Sequence, residues 1–106
     1  MRKTTASEIS GSADAFSEVC RAIASLGSGA EVQKFMEELC TPTECVDMAK
    51  RWRLVTELLR GKTQRAVASE LGLSLCKITR GARYIKRPDS AMANLARAAM
   101  AAAPKV

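Results

Sequence analysis

The sequence predicts an all-α protein of about six helices built around a helix-turn-helix. Three observations predict it. Apolar residues recur at helical spacing in almost every segment, and no stretch alternates as a strand would. Alanine and leucine dominate, β-branched runs are few, and aromatic residues make up only 4% of the chain, so local propensity favours helix. Glycine, proline and hydroxyl residues fall between the periodic segments, where helices start and stop.

Residues 1–12 are polar and small and read as a flexible N-terminal arm, with Arg2 and Lys3 at its start. A single helical domain is expected over 13–103, with 104–106 as a tail. From Ala13, Phe16, Val19, Cys20, Ile23 and Leu26 share a helical face, which Gly27-Ser28-Gly29 breaks. Ser28 with Glu31 has capping-box spacing, and a second helix carries Val32, Phe35, Met36 and Leu39 on one side.

Thr41-Pro42-Thr43-Glu44 marks the clearest boundary, with Thr at the cap, Pro at the first helical position and Glu at the third. A long helix is expected from Pro42 to about Arg60, with Met48, Trp52, Val55, Leu58 and Leu59 as its apolar stripe and Gly61 as its end. Residues 63–86 are expected to hold two shorter helices around a turn at Gly72. A last helix, about Asp89 to Ala102, would turn Met92, Leu95 and Ala99 inward.

The pair at 63–86 has the parts of a helix-turn-helix. Two helices that cross steeply need a small residue at the contact, and Ala68 provides it. Gly72 tolerates the left-handed backbone of the turn. Val67, Leu71 and Ile78 would pin the pair to a core, and Thr63 and Ser74 are good N-caps. The N-terminal part of the second helix is what such a motif lays against base edges, which nominates Leu75, Cys76, Lys77, Thr79, Arg80 and Arg83. Gln64 and Arg65 open the first helix, where side chains and free amides can hold a phosphate.

Charge supports that reading. Segment 50–87 has eleven basic residues against two acidic ones, Glu57 and Glu70, a net of +9. The whole chain is +6, which leaves −3 for the remainder. A basic segment wrapped around a helix-turn-helix points to double-stranded DNA. The alternative is a helix-turn-helix interaction module whose basic face meets an acidic protein partner.

Other classes find little support. There is no histidine, no glycine-rich phosphate loop and no paired carboxylate on a plausible cleft, so no enzyme is expected. The four cysteines form no C-x-x-C pair; packed, reduced thiols are expected, with no metal and no cofactor. No stretch is long and apolar enough to cross a membrane and no secretory signal is read, so a cytoplasmic protein is expected. At 106 residues a monomer buries little, and association into a homodimer would add buried area.

Several strings resemble a known family. Leu58-Leu59-Arg60-Gly61, Thr63-Gln64-Arg65, Glu70-Leu71-Gly72 and Ile78-Thr79-Arg80-Gly81 are similar to the bacterial Trp repressor superfamily. Thr41-Pro42 and Arg51 followed by Arg53 extend the match, and Phe35 to Thr41 resembles the related proteins of Gram-positive bacteria. The resemblance covers about residues 32–88. It implies an intertwined homodimer that offers one reading helix per chain to an approximately palindromic operator and blocks transcription. It also implies a corepressor pocket for L-tryptophan at Thr41, Arg51, Arg80 and Gly81, with the two arginines flanking the indole ring. Tyr84 stands where the family has a serine that meets the ligand's amino group, Trp52 is bulkier than the family's aliphatic residue, and Gly61-Lys62-Thr63 is one residue shorter. Binding of L-tryptophan, or of another small corepressor, is left open by these departures.

Overall fold

The computed structural model describes residues 4–102 as six helices, with no strand among them: α1 (Ala6–Ala24), α2 (Gly29–Leu39), α3 (Pro42–Leu59), α4 (Gln64–Leu71), α5 (Leu75–Ile85) and α6 (Ala91–Ala102). The expectations for Arg2, Lys3 and 104–106 lie outside the described residues. The chain divides into two compact units, one up to Pro42 and one from Thr43.

The first unit holds α1 and α2. α1 starts at Ala6 rather than at Ala13, so 6–12 is helix where a flexible arm was expected. The Thr5 hydroxyl caps it by accepting from the Glu8 amide at 3.1 Å, and the Glu8 carboxylate suits the positive end of the helix. That Thr-x-x-Glu spacing was present in the sequence, obscured by polar neighbours. Ser28 caps α2 through the Glu31 amide, while the Glu31 carboxylate accepts from the Gly27 amide at 2.9 Å. Neither helix buries a residue fully. Val19, Ile23, Leu26, Val32, Phe35 and Met36 are half-buried, whereas Ile9, Phe16 and Leu39 lie open to solvent.

The second unit owns the core. Leu54, Val55, Thr56 and Glu57 are consecutive and all buried, so this one turn of α3 is enclosed on every side. Val55 from α3, Val67 from α4 and Ile78 from α5 are wholly buried, and Leu54 and Ala96 complete the cluster. Each large apolar side chain so enclosed stabilises the fold by roughly 1.5–3 kcal/mol. The buried Thr56 hydroxyl donates back to the Arg53 carbonyl, and no buried side-chain polar atom among the described residues lacks a partner.

Two left-handed glycines shape the connections. Gly61, at φ +94°, ends α3, and Gly72, at φ +64°, makes the α4–α5 turn. The Gly72 amide donates to the Ala68 carbonyl, as does that of Leu73. Thr63 and Ser74 cap α4 and α5 as expected, accepting from the amides of Ala66 and Lys77.

α6 departs from expectation. It begins at Ala91, capped by the buried Ser90, whose hydroxyl accepts from the Ala93 amide at 3.1 Å. Its inward face is Met92, Ala93 and Ala96, while Leu95 and Ala99, expected inside, are exposed. Alanine's small side chain lets this helix approach closely, and the close approach fixes which face goes in. Arg97 donates to the Ile85 carbonyl at 2.9 Å, and the Asn94 amide donates to the Pro88 carbonyl, tying α6 to the end of α5.

A candidate nucleic-acid interface

α5 is divided lengthwise. Ile78 is wholly buried, and Gly81, Ala82 and Ile85 are half-buried on the same side. At 100° per residue, Cys76, Arg80 and Arg83 point the opposite way. Every α5 residue nominated from sequence is exposed: Leu75, Cys76, Lys77, Thr79, Arg80 and Arg83. Five of them, all but Lys77, line one surface depression of about 370 Å³. Gln64 and Arg65 are exposed at the first two positions of α4, where backbone amides have no intrahelical acceptor.

The cations of the segment separate into two groups. Lys62 is committed, at 2.7 Å from the Glu57 carboxylate and 2.9 Å from that of Glu70, and Arg60 also pairs with Glu57. The Lys62 ammonium, set against burial and helped by Arg60, holds the Glu57 carboxyl below its ordinary value of 4.5. Glu57 and then Glu70 in turn raise Lys62 above 10.5. Arg65, Lys77, Arg80 and Arg83, by contrast, make no ion pair among the described residues. The committed charges brace the α3–α4 connection, and the uncommitted ones stand exposed on α5 and at the start of α4.

The cysteines differ from the packed thiols expected. Cys20 and Cys76 are exposed, Cys40 and Cys45 are half-buried, and none of the four forms a disulfide. No cluster of metal-binding side chains occurs among the described residues, and no helix there is long and apolar enough to cross a membrane.

Of the residues that the resemblance gives to a corepressor, Arg51, Arg80, Gly81 and Tyr84 lie in the second unit and Thr41 in the first. Gly81 explains itself by packing. A Cβ built there would lie 2.4 Å from Leu54 Cδ2, with Cδ1 at 3.3 Å and Cγ at 3.4 Å. The Leu54 side chain, 3% exposed, therefore rests directly on the backbone of α5. The Tyr84 ring is 38% exposed and faces the Arg87 guanidinium at 5.5 Å, so the position of the family's small hydroxyl carries a ring instead. Neither Leu54 nor the Arg97 tie was singled out from sequence. Leu54 is i−4 to Leu58, a spacing that places it on an apolar side of α3 but carries no sign of its contact with Gly81.

A capped helix pair pinned by Val67 and Ile78, with one cationic outward face, has the form of a helix-turn-helix DNA-binding regulator. The family model for the Trp repressor protein matches residues 14–99. The chain belongs to that family. It is 38% identical over 73 residues to a Trp operon repressor homolog of Xylella fastidiosa (strain M23), covering 68% of this chain and 79% of that protein. It is also 34% identical over 74 residues to a Trp operon repressor homolog of Chlamydia trachomatis serovar D, covering 65% and 79%. No solved structure is a significant match.

Proposed function

We propose that this chain represses transcription as a cytoplasmic homodimer that reads an approximately palindromic operator, one α4–α5 pair per half-site. The observation that carries the reading is the outward face of α5: exposed, lined by Thr79, Arg80 and Arg83, and opposite the buried Ile78. Arg65 and the free amides at the start of α4 are suited to phosphate, which positions the protein, while Lys77 and Thr79 are suited to base edges, which specify sequence. Two reading helices related by a two-fold axis would enter successive major grooves about 34 Å apart.

Unpartnered apolar side chains support a second copy. Ile9, at 60% exposure, and Phe16, at 69%, project from a helix that buries nothing. In the other unit Val46, Trp52 and Leu95 are also open. A self-complementary interface would remove this surface from water.

Selection from a random-sequence DNA library by the purified protein at physiological salt tests the proposal. Enrichment of an inverted repeat is expected, with affinity falling linearly in a log–log plot against salt. Salt-sensitive binding with no sequence preference, together with a stable complex with an acidic protein, would favour the interaction-module reading instead.

A further inference from the structure

We propose that the chain's own Leu54 fills the seat beside Gly81, with Tyr84 at its rim, so that an aromatic amino acid does not bind there and does not gate DNA recognition. The gating half of this rests on the DNA reading; the closure of the seat does not.

A glycine in a helix can serve two ends. It can leave a floor for a ligand, or it can let a neighbouring side chain approach the backbone. Leu54 settles which applies at Gly81. Its Cδ2 occupies the place a Cβ would take, at 2.4 Å from it. An aromatic ring laid on that floor needs roughly 3.5 Å to each surface it touches, so Leu54 would have to retreat by about a ring's thickness. It has nowhere to retreat, being 3% exposed and part of the cluster with Val55, Val67 and Ile78. Opening the seat would empty part of the core.

The rim agrees with the floor. Tyr84 lies one turn beyond Arg80 on the same side of α5. It brings an aromatic ring with its own cationic partner, Arg87, at 5.5 Å. A cation facing a ring is what a ligand's indole would have received, and here the chain satisfies the arrangement internally. Arg51 and Arg80 carry no ion pair among the described residues, which leaves both free for phosphates. α5 is thereby set against α3 by a permanent side chain instead of a ligand.

Equilibrium dialysis of the full chain against L-tryptophan, without DNA, tests closure. No saturable uptake is expected up to roughly 1 mM. The folded double variant Leu54→Ala with Tyr84→Ser should gain uptake of one L-tryptophan per chain. Where that variant loses its helical circular dichroism, Leu54→Val with Tyr84→Ser takes its place. Saturable uptake by the unaltered chain would overturn the proposal, and so would a folded double variant that gains nothing. DNA selection with and without L-tryptophan tests gating separately. Affinities within about twofold of each other support it, and a rise of about fivefold or more with L-tryptophan overturns it. A chain that takes up no L-tryptophan and selects no DNA keeps the seat closed and loses the DNA reading. One that takes up L-tryptophan and selects DNA only in its presence does the reverse.

Discussion

Gly81 and Leu54 form a pair in which each explains the other. A helix-interior glycine costs about 1 kcal/mol relative to alanine, so its presence in α5 calls for a gain elsewhere. The gain is the approach of Leu54. Gly81→Ala should therefore destabilise the protein by roughly 1–3 kcal/mol in urea unfolding, despite its better helix propensity. Combined with Leu54→Ala it should cost less than the sum of the two single changes, because the clash and the cavity cancel. Additive costs would mean that the two residues do not share one space. On the reading face, Lys77→Ala and Thr79→Ala should alter which sequences are selected. Arg65→Ala should weaken all sequences alike and reduce the salt slope by about 1. The exposure of Arg65, Lys77 and Thr79 was legible in the sequence, because helical spacing sets which positions face away from the core. Leu54 was not, because a contact between α3 and α5 has no periodic signature within either helix.

Helix boundaries depended on capping chemistry. Ser28, Thr63 and Ser74 were readable because each is followed by a clear apolar period, and each accepts from the amide three residues on. The last helix was expected from about Asp89 with no cap named for it, and the buried Ser90 supplies the cap. Ser90→Ala should lower stability by about 1 kcal/mol in chemical unfolding, with α6 the first helix to lose amide protection. In the alanine-rich α6 the periodic signal is faint on every face, which is why Leu95 was expected inside. The α3–α4 connection should impose a pH dependence. Because the folded Glu57 carboxyl titrates below 4.5, its pairing contributes fully above that value and is lost as pH falls through the lowered one. Lys62, raised above 10.5, contributes below that value and loses its share as pH rises through the raised one. Glu57→Gln should therefore flatten the acid limb of a plot of thermal midpoint against pH; an unchanged limb would show that other carboxyls set it.

At the scale of the molecule, the two units make unequal use of their apolar residues. The second encloses a core, whereas the first encloses nothing fully. Most helical stability in proteins comes from packing an apolar face, and α1 buries no residue fully, which leaves its apolar side open to a covering surface. If a second copy supplies that surface, the thermal midpoint should rise with protein concentration. Phe16→Asp should then shift sedimentation toward the monomer and weaken operator binding without touching the reading face. A concentration-independent midpoint would refute association. Fold class, helix number and the capped α4–α5 pair were all readable in one sequence, since each is written in local spacing. The division into two units was not, because it depends on which apolar faces remain uncovered.

Thr79 carries one consequence into the operator itself. Its hydroxyl donates to the Leu75 carbonyl at 2.9 Å, so the proton is already engaged inside the helix. What faces outward is a methyl group and oxygen lone pairs. Such a surface suits the C5-methyl of thymine or the exocyclic amino groups of cytosine and adenine, and it is a poor match for the two acceptors of guanine. Two symmetry-related copies would state that preference twice, so guanine should be depleted at a mirrored pair of positions in the selected inverted repeat.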